Sequence, residues 1–284
     1  MKKTIYYILL FFSFISCKPD LNYEIRGYTQ KIIVEGFIAN DEYPSVYLSL
    51  NIPLSKKVDT ITILENVIRT AKVTITDGET TEILTSRWDK KHFPPYVYRG
   101  TELKGVEGKT YYLTVDYGGY TLHSQTTIPY AADIQKFNIV PITGNDSMRI
   151  LSMTFNIDAT KKNGYRVFTK KKKDGFYIQT PIVFNSEFSL SGINTFNISP
   201  KPADRDSSSS EGTYFAVGDT VQVEFCTIDS VSTQFFKALT IFSASGIGSN
   251  FFIGEKDALK SNISSPGFGI WYGNGTRSYQ VIIK

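Results

Sequence analysis

Cysteine is nearly missing from this chain, which has only Cys17 and Cys226 among 284 residues. With Cys17 committed to the role argued below, Cys226 is the sole thiol and no intramolecular disulfide can form. The fold therefore depends on its apolar core. Histidine is as scarce: His92 and His123 lie far apart with no metal-ligand set around either, which argues against a zinc-type centre. Strong charge of one sign is absent too. The 31 basic side chains fall to 29 once Lys2 and Lys3 are set aside, against 27 acidic ones. That balance is too even to imply a nucleic-acid or anionic-membrane partner, and none is expected. After residue 16 no apolar run is long enough to cross a bilayer. No repeat recurs at a fixed period.

What is present at the start is distinctive. Lys2 and Lys3 precede an apolar run, Ile5 to Ile15, broken only by Ser13, and Ser16 stands directly before Cys17. A positive start, an apolar core and a small residue at the end form the plan of a secretory signal. The core is about a dozen residues, short of the roughly 20 that a permanent spanning helix needs. Phe14-Ile15-Ser16-Cys17 resembles a bacterial lipobox, so residues 1–16 are expected to be a signal peptide and Cys17 the lipid attachment site. Several acyl chains on one residue hold it at a membrane almost permanently, whereas one holds reversibly. Residues 17–28 then form a lipidated tether. At about 3.3 Å per residue, its eleven residues after Cys17 reach at most roughly 35–40 Å. Lys18, Asp20 and Glu24 resemble the signal that sends Bacteroidota lipoproteins to the outer face of the outer membrane.

The remainder reads as mainly β. Hydrophobic residues make up 41% and charged ones 20%, enough for real cores and against disorder. Over 29–129, short alternating segments (31–38, 45–50, 71–75, 96–99, 109–116 and 120–128) separated by turns predict a sandwich of immunoglobulin-like architecture. The Cys…Trp…Cys spacing of true immunoglobulin domains is missing. Pro129 cannot donate into a ladder and marks a boundary. Residues 130–284 form a second β-rich domain, with strands expected at 149–157, 164–172, 176–184 and 220–228. Gly267 to Gly273 and Arg277 to Ile283 are expected to be two more strands joined by a glycine turn. One amphipathic helix is predicted at about 230–243, capped by Asp229 or Ser230, with Val231, Phe235, Leu239 and Phe242 on one stripe.

Catalytic patterns are weak. Phe242-Ser243-Ala244-Ser245-Gly246 lacks the glycine two before the serine that a nucleophile elbow needs. Gly246-Ile247-Gly248 follows a helix rather than a strand, so no dinucleotide fingerprint forms. Asp204 and Asp206 are the nearest carboxylate pair, in a serine-rich loop. The lysine run 170–173 leads into a hairpin and reads as a solvated face or a contact for an anionic partner. No cofactor or metal is expected, and no enzyme activity. Aromatics are the remaining signal. Trp88, Phe93, Tyr96 and Tyr98 surround a Pro-Pro loop, and Trp271-Tyr272 lies among glycines. Both groups are open to two interpretations, core packing or contact with a glycan, a peptide or a protein partner.

The order of pieces resembles a family of Bacteroidota outer-membrane lipoproteins catalogued as a domain of unknown function. The matching pieces are Ile33 to Ile38, Ala71 to Gly78, Gly108 to Val115, Thr126 to Pro129, Phe236 to Leu239, Ser261 to Ile263, and Gly267 to Gly273. Ser264-Ser265-Pro266 departs from the expected glycine-rich approach to the last strands. The resemblance implies surface lipoproteins often encoded beside TonB-dependent receptors, with no enzyme chemistry and no established ligand residues. The expected function is a non-catalytic accessory to an outer-membrane β-barrel receptor, lipid-anchored and facing the cell surface. The alternative is a stand-alone glycan- or protein-binding adhesion lipoprotein.

Overall fold

The computed structural model describes residues 28–53, 56–90, 92–172, 177–179, 184–185, 192–200, 214–245 and 259–284. Cys17, the Asp204–Asp206 pair and the 246–248 glycines lie outside these residues. The described chain is mainly β. Its strands are β1 (Ile32–Ala39), β2 (Ser45–Leu50), β3 (Lys72–Thr76), β4 (Thr81–Ile83), β5 (Thr85–Trp88), β6 (Tyr96–Arg99), β7 (Thr110–Tyr117), β8 (Tyr120–Thr127), β9 (Ile134–Ile142), β10 (Asn145–Ile157), β11 (Gly164–Lys171), β12 (Ile178–Gln179), β13 (Phe184–Asn185), β14 (Gly192–Ile198), β15 (Phe215–Ala216), β16 (Thr220–Ile228) and β17 (Phe268–Ile282). Two α-helices accompany them, α1 (Thr60–Glu65) and α2 (Ser230–Ser245).

One nine-stranded sheet organises the molecule. Its order is β12-β11-β16-β17-β1-β2-β6-β5, with β13 also on β11. Two four-stranded sheets, β4-β3-β7-β8 and β14-β10-β15 with β9 on β10, accompany it. Period-two alternation explains the pairing. Val34, Ile38, Val46 and Leu48 share a core with Val73, Ile75, Leu113 and Val115. Val167, Val221, Val223 and Phe225 share a second core with Leu151, Met153 and Phe155. The result is two sandwiches that use one large sheet.

β17 connects them. It is one continuous 15-residue strand, not two strands around a glycine turn. Residues 268–274 pair in parallel with β1, and 275–282 pair antiparallel with β16. The glycines answer a different need. A Cβ on Gly275 would sit 2.2 Å from the Pro129 carbonyl oxygen, and one on Gly273 would sit 2.8 Å from the Ile128 Cα. The segment after β8 crosses directly over the strand there, so the glycines permit close backbone approach. The N-terminal sandwich is thus completed by residues from the far end of the chain, which sequence order does not place there.

α2 lies on the opposite face of the large sheet, near the seam. Asp229 caps it, its carboxylate accepting from the Ser232 amide at 2.7 Å. Phe235 and Phe236 pack on Ile228, Ile270 and Tyr272. The buried side is Ser232, Thr233, Phe235 and Phe236, while Val231 and Leu239 are exposed, so the expected stripe is rotated. Gly164 accounts for this rotation. A Cβ there would meet Thr233 Oγ1 at 2.1 Å, so the missing side chain lets the polar edge of the helix sit against β11. α1 was not signalled by any long apolar period. Its start is a local device: the Asp59 carboxylate accepts from the Thr62 amide at 2.9 Å.

Candidate functional site

The free end of the large sheet carries two exposed aromatics, Trp88 and Phe93. β5 is the edge strand, and its antiparallel pairing with β6 sets Trp88 opposite Tyr96. Their rings meet edge to face, centroids 4.9 Å apart. The Arg69 guanidinium lies 4.5 Å from the Tyr96 ring centroid. Cation and ring together fix the platform at a cost in freedom that flexible side chains would not share, and contribute about 0.5–1 kcal/mol at an exposed site. Sequence reasoning missed Arg69, because it comes from a different part of the chain and carries no local pattern.

The loop after Trp88 is held from the other face. His92 stacks on Tyr47 with ring centroids 3.9 Å apart, and its Nδ1 lies 3.0 Å from the Pro94 carbonyl oxygen. The Asp89 amide donates to the Pro95 carbonyl at 2.9 Å, closing the loop base. Phe93 is left pointing outward. Trp88 is 56% exposed and Phe93 54%, large values for such rings in an ordered loop and strand. Beneath them Tyr47 is pushed up to about 12 by burial and by the Asp89 and Glu35 carboxylates, partly offset by Arg99. It stays a neutral phenol.

The other sequence-nominated aromatics are core. Trp271 is fully buried and donates its indole N–H to the Tyr111 carbonyl at 3.1 Å. Tyr272 is buried under Phe236, rings 4.9 Å apart, and accepts from Arg166 at 3.3 Å. Neither is offered to a partner; the long strand that carries them is sandwiched between β1 and its own side-chain partners. Tyr98 is buried as well, donating to the Ile68 carbonyl and accepting from the Ala71 amide. The structure therefore pairs Trp88 with Tyr96, leaves Phe93 exposed on the loop between their strands, and places Trp271 and Tyr272 in the core elsewhere.

Groups with chemical potential are placed as follows. Cys226 is buried, and burial pushes its thiol up to about 11, so the reactive thiolate is strongly disfavoured. His123 is on the exposed side of β8, its Nδ1 3.3 Å from Thr114 Oγ1. Among the described residues no group of three or more His, Cys, Asp or Glu is placed to hold a metal ion. What the exposed aromatic end can do is bury a flat apolar or sugar-like surface against rigid rings.

No curated protein matches the sequence. Among solved structures, the chain is similar to one in a cytokine receptor complex at 6% identity, covering 70% of this chain and 85% of that one, TM-score 0.25. It is also similar to bovine butyrophilin at 10% identity, covering 70% and 92%, TM-score 0.21. At those scores neither likeness bears on function. The family is a different matter: its model matches residues 17–279, and the chain belongs to the family described as Domain of unknown function (DUF4249).

Proposed function

We propose that this protein is a lipid-anchored lipoprotein of the outer membrane, facing the cell surface and working without catalysis beside a TonB-dependent β-barrel receptor, where it helps bind or deliver the receptor's substrate. The observation that carries the proposal is the exposed pair Trp88 and Phe93 at the free edge of the large sheet, with the half-buried Tyr96 ring edge-to-face against Trp88. Aromatic side chains contribute heavily to interface hot spots, and these three lose little freedom on binding because Arg69 and the His92–Tyr47 stack already hold their surroundings. The lipobox supplies the second half of the argument. A body held within roughly 35–40 Å of the membrane meets its neighbours there at high effective concentration, so a modest interface suffices.

The test is copurification. Protein solubilised in mild detergent, with and without crosslinking, should bring a β-barrel receptor with it, and the W88A/F93A double variant should lose that partner while remaining in the membrane fraction. Recovery of the lipoprotein alone under both conditions overturns the proposal.

A further inference from the structure

The lysine run acquires a meaning once the strand period sorts it. Lys171 turns toward the second core side, 3.7 Å from the Asp219 carboxylate, with its ammonium 5.9 Å from the Phe215 ring centroid. Lys170 and Lys172 go the other way, onto the outer face of the large sheet. There Lys170 of β11 stands opposite Gln222 of β16, and Gln222 stands opposite Gln280 of β17. The three side chains form one cross-strand row. With Lys172 and Thr220 they line a pocket of about 370 Å³. Tyr177 forms part of its surroundings: its hydroxyl lies 3.3 Å from Gln222 Oε1, and the Lys170 ammonium lies 5.3 Å from its ring centroid.

This arrangement is unlike the exposed face of an ordinary sheet. Two cations, two carboxamides and a threonine hydroxyl line one concave space, with Tyr177 beside it on Gln222. Lys172 makes no ion pair among the described residues. Carboxamides both donate and accept, which suits adjacent hydroxyls; ammonium groups suit an anionic oxygen. A lining of this kind repels apolar ligands, whose burial would leave the polar groups unpaired. Glu224 stands in the next row, its pKa raised chiefly by burial while the Tyr177 hydrogen bond and the Lys170 ammonium act the other way.

From this we infer that the pocket of Lys170, Lys172, Gln222 and Gln280 is a binding site for a carboxylated saccharide, with the lysines on the carboxylate and the glutamines on the ring hydroxyls. The site lies on β11, β16 and β17, at the opposite end of the large sheet from Trp88, so it stands whether or not the aromatic end meets a barrel.

The experiment uses full-length protein in detergent and three probes measured by calorimetry: a tetragalacturonate, its full methyl ester, and an acrylate oligomer of equal charge. Tetragalacturonate should bind, the other two much more weakly, and binding should weaken as salt is raised. K170Q/K172Q should lower its affinity at least about tenfold, the effect of losing one or more hydrogen bonds to a charged group. Q222A should lower it without changing the salt dependence. All variants should keep the wild-type thermal midpoint, since none of these side chains is in a core. No binding of tetragalacturonate, equal binding of its ester, or affinity unchanged in K170Q/K172Q each overturns the site. Equal binding of the acrylate oligomer overturns saccharide recognition in favour of charge alone.

Discussion

Asn262 behaves as a strand partner for Trp271. Its carboxamide donates to the Trp271 carbonyl at 2.7 Å and accepts from the Trp271 amide at 2.9 Å, as a neighbouring backbone would. The need arises because β16 covers only the second half of β17, leaving residues 268–274 paired on the β1 side alone. Side chains fill the open edge. Ser261 Oγ accepts from the Gly269 amide at 3.0 Å and Thr126 Oγ1 from the Gly273 amide at 2.9 Å. Three successive outward amides are satisfied by side-chain oxygens, so a buried ladder edge is left without orphan donors. Ser261-Asn262 and Thr126, part of the ordered pattern by which the sequence resembles its family, are therefore architectural.

Replacing Asn262 with Leu should be costly. It strands both Trp271 backbone groups in a partly buried setting, at about 1–3 kcal/mol each. Urea unfolding should show a loss within that range or up to its sum. A change smaller than about 0.5 kcal/mol would mean that water reaches this edge and the pairing is dispensable.

Gly275 and Gly118 separate two reasons for a glycine. Gly275 lies in an extended strand where the Pro129 carbonyl leaves no room for a Cβ, so G275A must push backbone away from backbone. Gly118, at φ +59 in the β7–β8 turn, faces open space. G118A should cost only about 1 kcal/mol, the ordinary penalty of a left-handed conformation. G275A should cost several-fold more, or prevent soluble expression. Equal thermal shifts in the two variants would show that the segment after β8 can move off the strand.

The same pair shows what sequence could and could not reveal. Alternation located β1, β2, β7, β8 and β16 closely, because each has one face in a core and the period of two survives in the residues. The Gly118-Gly119 hairpin was equally legible. Glycines 273 and 275 were not, since a turn and a close crossing ask for the same residue and only the tertiary path tells them apart. β9 escaped because its burial is partial and irregular, and β14 because its inward positions, though regularly alternating, are only half-buried up to Ile198. At the candidate site, Trp88, Phe93 and Tyr96 were visible by clustering, whereas Arg69 and the Tyr47 stack depend on contacts between distant segments. Trp271-Tyr272 carried the same local signal and proved to be core.

Acid should unlock the first sandwich at its β3–β4 turn. The Lys109 ammonium, 2.6 Å from Asp77, and the amides of Thr80 and Glu79 hold the Asp77 carboxyl at about 2, against some opposition from burial. A depressed carboxyl stabilises the fold above its unfolded value of 3.8, and that contribution is lost as pH falls from there through about 2. Glu82 acts in the same direction: burial opposes its charge, but the amides of Leu103, Thr101 and Glu102 outweigh it and lower its pKa. D77N should therefore flatten the stability curve between about pH 4 and pH 2. The contribution is modest because the partner lysine side chain is 34% exposed and screened by solvent. A D77N curve parallel to wild type over that window would rule this linkage out.

The chain has two tryptophans, and the structure assigns them opposite fates. Trp271 is sealed in the first core, its indole bonded to Tyr111; Trp88 stands at the sheet edge with over half its surface in solvent. Emission should accordingly contain a blue, quencher-resistant component and a red, acrylamide-accessible one. W88F should remove the red component and change stability by no more than about 0.5 kcal/mol, as expected for a surface substitution. W271F should remove the blue component and destabilise by about 1–3 kcal/mol, through lost packing and a lost indole hydrogen bond. A wild-type spectrum without any accessible component would mean that Trp88 is covered in the isolated protein, and the aromatic end would then be unavailable for the receptor contact proposed for it.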